Sequence, residues 1–179
     1  MTHVYMVTLS VVLLPMRDDL GLSIPELTGY GTIAAVLYGL GALPAGLLSD
    51  RWGEKALFSI FFFLTAVGGA AVGLSRSPFL LSIGMALMGL GASIFHPVGN
   101  SWIARGFRSP GRAMGTSGLW GSLGEAVGPI AAAGISVLFS WRWAYLAYAA
   151  PMAAIGGWRV FSRVDEGPAG REGLLEVES

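Results

Sequence analysis

The 179-residue sequence has no cysteine, two histidines and only 12% charged residues. Without cysteine there is no disulfide framework, no thiolate nucleophile and no Cys-ligated metal, and the redox compartment is left open. His3 and His96 are too few for a His-only centre, so neither a metal nor a cofactor is expected. The shortage of charge says most, because an ordinary soluble domain carries about 25% charged residues to clothe its core. Eleven basic and eleven acidic residues cancel without forming a basic block, so nucleic acid is not an expected partner. A signal peptide is not expected either, because no basic segment precedes the first apolar run and no small-residue cleavage site follows it.

What is present is apolar sequence, 54% of the chain, and it points to lipid as the solvent. Six runs can be read, at residues 3–16, 30–48, 56–74, 79–103, 113–139 and 143–161. A helix needs about 20 residues to cross the hydrocarbon core, and five of the six come close to that or exceed it. The first is short, as if its N-terminal end were missing. The polar segments between them, at 17–29, 49–55, 75–78, 104–112 and 140–142, read as turns between antiparallel spans. Backbone groups left unpaired in hydrocarbon are too costly for anything but helices or a closed barrel, and runs this long are helices. The expected fold is therefore all-α, a polytopic six-helix bundle over residues 1–161. The acidic, Gly- and Pro-containing segment 162–179 reads as a mobile cytoplasmic tail or linker.

Arg51, Lys55, Arg105, Arg108, Arg112, Arg159, Arg163 and Arg171 fall on one side of this topology, and Arg17, Arg76 and Arg142 on the other. The richer side is expected to be cytoplasmic, together with both termini. Trp102, Trp120, Trp141, Trp143 and Trp158 lie mostly near span ends, where an indole suits the headgroup layer.

Three motifs stand out. Gly46-Leu-Leu-Ser-Asp50-Arg51-Trp-Gly53-Glu-Lys55 follows the second run: Gly46 allows close helix approach, Gly53 a tight turn, and Asp50 can meet an Arg or a helix N-terminus. Gly115, Gly124, Gly128 and Pro129 share the fifth run, where Gly124, Gly128 and Ala132 form an i, i+4, i+8 stripe suited to close packing. Pro129 removes the helical bond to the carbonyl of Glu125. Residues 91–97, Gly-Ala-Ser-Ile-Phe-His96-Pro97, lie in the fourth run.

The first motif resembles the loop between the second and third helices of the major facilitator superfamily. The second resembles the helix motif of that family's proton-coupled antiporters, and the third its fosmidomycin-resistance branch. The resemblance implies half of a twelve-helix fold in the cell membrane, moving a small molecule by alternating access with protons and with a second six-helix half as partner. It assigns the Asp50 loop a latch role in the outward-open state. Departures are Glu54 for a basic residue, Ala132 and Ala133 for glycines, and Met85 where many drug antiporters carry an arginine.

Glu125 lies mid-span, where an ionised side chain costs from about 2.5 kcal/mol upward, so it must meet a cavity or a partner. A proton-coupling role and a packing role are both open to it. His96 can satisfy the Ser93 carbonyl freed by Pro97 or reach a lumen, and Asn100 sits one turn further on the same face. Asp18 and Asp19 read as solvated loop residues. Two other classes compete with transport. One is an intramembrane hydrolase using Ser93 and His96, disfavoured because the sixth run offers no histidine as base; the other is a truncated, non-transporting membrane protein.

The charge asymmetry makes the topology testable. A cysteine at Ser77 should react with an impermeant thiol reagent in intact cells while one at Ser109 stays shielded; labelling at Ser109 from outside would reverse the orientation.

Overall fold

The structure is a computed structural model that describes residues 4–161. Five helices follow one another: α1 (Val4–Leu20), α2 (Ile24–Gly73), α3 (Pro78–Gly106), α4 (Pro110–Leu138) and α5 (Trp141–Phe161). The described residues contain no strand, in keeping with the all-α expectation. The expected tail at 162–179 lies outside them.

The 50-residue α2 carries two of the six apolar runs. It starts earlier than the second run because Ser23 and Glu26 form a capping box. The Ser23 hydroxyl accepts from the Glu26 amide at 3.4 Å, and the Ser23 amide donates to the Glu26 carboxylate at 2.8 Å. The Ser23 hydroxyl, which also donates to the Glu26 carboxylate at 2.6 Å, and the Ser23 amide together hold that carboxyl below its usual range. At Gly53 the backbone takes φ 79° and ψ 158°, a region essentially reserved for glycine, and the chain reverses. The first arm, 24–52, runs parallel to α3: Ala34 lies beside Gly89, Gly41 beside Ser93 and Gly46 beside Pro97. The second arm, 54–73, runs antiparallel to α3, with Gly68 beside Gly84 and Thr65 beside Gly91. α5 lies antiparallel to the second arm, pairing Leu146 with Gly73 and Gly156 with Phe62.

Three helices, α2, α3 and α4, are long and apolar enough to cross a membrane by length and composition. α1, at 17 residues, is about 25 Å long.

The expected turns are shorter than the polar segments suggest. Only residues 21–23 separate α1 from α2, a single glycine replaces the 49–55 loop, and 107–109 join α3 to α4. Caps and a positive-φ glycine reverse the chain compactly, so polar residues remain helical. Ser49, expected in a turn, is buried on α2.

Close approach, and not bulk, joins these helices. Lipid is as apolar as a leucine side chain, so helices gain little from hydrophobic burial against each other and need small residues at the seam. A Cβ built on Gly89 would stand 2.3 Å from the Ala34 carbonyl oxygen, and one on Gly68 2.9 Å from the Gly84 carbonyl. The core between them holds Leu57, Phe61, Val72, Leu81, Val98 and Tyr145.

At the other end of the bundle from Gly53, α1 continues through Asp19 because that carboxylate has partners. It accepts from the Trp141 indole at 3.1 Å and pairs with Arg142. Arg142 also donates to the Ser75 carbonyl at 2.6 Å and lies 4.4 Å from the Trp141 ring centroid. One guanidinium thus ties the ends of α1, α2 and α5, and it holds the Asp19 carboxyl below its ordinary value against a smaller opposing effect of burial. Asp19 is exposed, as expected, but it is a helical, ion-paired residue of α1 and not a loop residue. Trp141, buried there, is not a headgroup anchor.

The seam predicts a contrast. Gly89→Ala forces backbone against backbone and should destabilise the protein by about 1–3 kcal/mol. Gly46→Ala, whose Cβ would meet Pro97 at an ordinary 3.9 Å, should be near neutral. Unfolding by denaturant in micelles reads both; equal stability would remove the seam's role.

Candidate functional site: a polar cavity and a charged turn

His96, Asn100 and Glu125, far apart in sequence, line one cavity of about 580 Å³ between α3, α4, α5 and the second arm of α2. Pro97 and Pro129 lie one and four residues from them, within helices whose backbone ladders they interrupt. Phe95 and Tyr38 hold the His96 ring edge-to-face, at centroid distances of 5.4 and 6.4 Å. Ser117 and Ser122 add hydroxyls on the α4 wall, while Phe61 and Phe62 close the back. Sequence reasoning missed these serines, since an isolated hydroxyl in an apolar run gives no signal.

His96 is half-buried, whereas Asn100 and Glu125 are exposed on this chain. Ser93, the expected nucleophile of a hydrolase, instead donates to the Leu90 carbonyl at 2.7 Å and packs against Gly41.

The antiporter-type motif divides. Gly128 is buried, and a Cβ there would meet Val4 of α1 at 2.6 Å; its carbonyl also accepts from the Tyr148 hydroxyl at 2.6 Å. Pro129 is half-buried beside it. Gly115 and Gly124, by contrast, face open space, so the close-packed stripe expected at Gly124, Gly128 and Ala132 begins only at Gly128. Gly128 and Ala132 are the buried residues of α4, whose preceding half is open to its surroundings.

In the charged turn, Gly53 supplies the reversal already described, and Gly46 sits in ordinary contact with α3. Arg105 of α3 reaches back to both acids: it pairs closely with Glu54 and stands 3.7 Å from Asp50. The Glu54 side chain is 16% exposed against 68% for Asp50, so Glu54 is the main partner and Asp50 faces outward. Glu54, which departs from the family pattern, thus has a specific task in this chain. Arg51 is exposed and Lys55 half-buried. Met85, in place of an arginine, is buried in the core and lines a smaller, mainly apolar cavity of about 250 Å³ with Leu9, Thr28 and Thr32.

The sequence matches the Major Facilitator Superfamily over residues 1–176. It is 29% identical over 139 residues to the probable L-galactonate transporter of Escherichia coli strain K12, covering 75% of this chain and 30% of that protein. It is 31% identical over 136 residues to an uncharacterized MFS-type transporter of Mycobacterium tuberculosis, covering 72% and 23%. It is 29% identical over 119 residues to the quinolone resistance protein NorB of Staphylococcus aureus, covering 64% and 25%. The chain spans about a quarter to a third of the length of these relatives. With a helical bundle of membrane-crossing length, a glycine reversal between Asp50 and Lys55 and a family match across almost all of its residues, the chain belongs to the major facilitator superfamily.

Proposed function

We propose that residues 1–161 form one six-helix half of a proton-coupled transporter in the cell membrane, with residues 162–179 as a linker or tail and both termini cytoplasmic. The observation that carries this reading is the cavity uniting His96, Asn100 and Glu125, polar groups that hydrocarbon would not tolerate without water, substrate or a partner. Alternating access needs a second bundle against which the first can rock. The open half of α4 offers that surface, with Leu119, Trp120 and Leu123 exposed. The printed names of the relatives concern L-galactonate in one case and quinolone resistance in another, so the substrate is a small molecule of open class, and efflux by antiport is the direction proposed for this chain.

Glu125 is the proposed proton-coupling residue. It is the carboxylate that lines the polar cavity, beside His96 and Asn100. The Asp50 carboxylate, which leaves most of Arg105 to Glu54, is proposed to engage the second half when the cytoplasmic side shuts.

Both roles are read in one assay, transport in vesicles holding the chain with the half that completes it. Glu125→Gln should abolish gradient-driven accumulation and spare downhill exchange. Asp50→Asn should lower the turnover rate severalfold with little change in substrate affinity. Normal accumulation by Glu125→Gln leaves that residue a packing role, and the absence of any transport in the unaltered complex favours a non-transporting membrane protein.

A further inference from the structure

Two stripes, one on the first arm of α2 and one on α4, lie uncovered among the described residues, and their ends carry opposite charge. On the first arm Ile33, Val36, Leu40, Leu43 and Leu47 are exposed at three- and four-residue spacing, and the stripe closes on Asp50, whose side chain is 68% exposed. On α4 the stripe opens on the exposed Arg112 and Thr116 and continues through Leu119, Leu123, Val127 and Ile130. Arg112 and its neighbour Arg108 have no ion-pair partner among the described residues.

The two charges stand at the same end of the bundle. Asp50 is 3.7 Å from Arg105 near the end of α3, and α4 starts soon after, at Pro110. From that end the stripes run through a similar length, roughly 26 Å at about 1.5 Å per residue. Set antiparallel, they match position by position: Asp50 meets Arg112, Leu43 meets Leu119, Leu40 meets Leu123 and Val36 meets Val127. The same register lays Gly39 opposite Gly124, two glycines on which an added Cβ meets nothing within 4 Å, so the helices have room to approach closely.

Both stripes border the polar cavity. Tyr38 of the first arm meets the His96 ring at 6.4 Å, and Ser117 and Glu125 of α4 line the same space. Lipid can cover the leucines, but it neither pairs Asp50 with an arginine nor suits a surface that includes an exposed carboxylate. Each stripe carries the charge that the other lacks, so a second copy of the chain complements both at once.

We infer that the two stripes form a self-complementary interface through which two copies of this chain pair, in the same membrane orientation, about a two-fold axis along the bundle. Asp50 of each copy meets Arg112 of the partner subunit, and each first arm lies along α4 of the other. The two His96–Glu125 cavities then face each other across the axis. The inference rests on the proposed need for a second bundle and identifies that bundle as a second copy.

The test uses the full chain alone, in vesicles at high lipid dilution, with two differently tagged versions co-expressed and oxidised; there is no native cysteine to interfere. Leu43→Cys in one version and Leu119→Cys in the other should give a disulfide-linked pair, as should Leu40→Cys with Leu123→Cys. Leu43→Cys with Val127→Cys, out of register, should not; nor should Leu43→Cys with Phe63→Cys, which lies in a separate groove beside α5. Fluorescence energy transfer between labelled copies should show association weakened roughly tenfold or more by Asp50→Arg, because it sets like charges together. Asp50→Arg with Arg112→Asp should restore it, and Arg76→Asp at the other end should leave it unchanged. If the charge variants fail to fold, the cysteine pairs still decide. A monomer at every concentration, linkage that ignores register, or a charge swap without rescue would each overturn the inference. A monomeric chain that transports once a different protein completes it would sink the pairing and keep the transport reading; a dimer of the stated register that transports nothing would do the reverse.

Discussion

The contact between α3 and the two arms of α2 is the interaction on which the rest of the bundle depends. Gly68, Gly84, Gly89 and Gly91 bring backbones within van der Waals distance there, and no larger residue fits without a shift. In water such a seam would be reinforced by expulsion of solvent from apolar surface. In lipid that drive is absent, and close dispersion contacts must hold the helices together. The reversal at Gly53 is what lets one continuous segment flank α3 on two sides. α5 closes the group through Gly73 and Gly156.

Charges reinforce the bundle at its two ends, outside the apolar spans. At one end Arg142 joins Asp19 and the Ser75 carbonyl; at the other Arg105 joins Glu54 and, more distantly, Asp50. Exposed ion pairs contribute about 0–1 kcal/mol each, so these contacts matter more for register than for stability. By tying three chain ends, Arg142 fixes where α1 and α5 stand relative to the second arm of α2. α4 has no comparable tie in its first half, where buried contacts begin only at Gly128. The molecule therefore divides into a glycine-sealed core and one open wall.

Much of this was legible in the sequence, and the limits have a physical cause. The apolar runs set by bilayer thickness placed every helix, and the glycine at position 53 announced its turn because few other residues take that conformation. Helix ends were less readable: Asp19 remains helical because of Trp141 and Arg142, more than 120 residues away, and no local pattern carries that information. Glu54 looked like a defect in a motif for the same reason, its meaning residing in Arg105 on another helix. His96, Asn100 and Glu125 were singled out individually as costly polar groups in apolar runs. Their convergence on one cavity depends on helix packing, as does the openness of Gly115 and Gly124, which spacing alone suggested would be packed.

The central claim is that a water-reachable cavity penetrates this bundle beside Glu125. Because the chain has no native cysteine, single cysteines report on that cavity without background. Ser117 and Ser122 line it, whereas Leu119 does not. Reaction rates with a small hydrophilic thiol reagent, measured on the three single-cysteine proteins in vesicles opened to the Gly53 side, distinguish the cases. The account predicts that cysteines at Ser117 and Ser122 react at least tenfold, on the order of one decade, faster than one at Leu119, as water-lined sites should against one outside the cavity. Three equally slow rates would mean that no aqueous cavity exists, and that Glu125 lies against lipid or protein with no path for a proton.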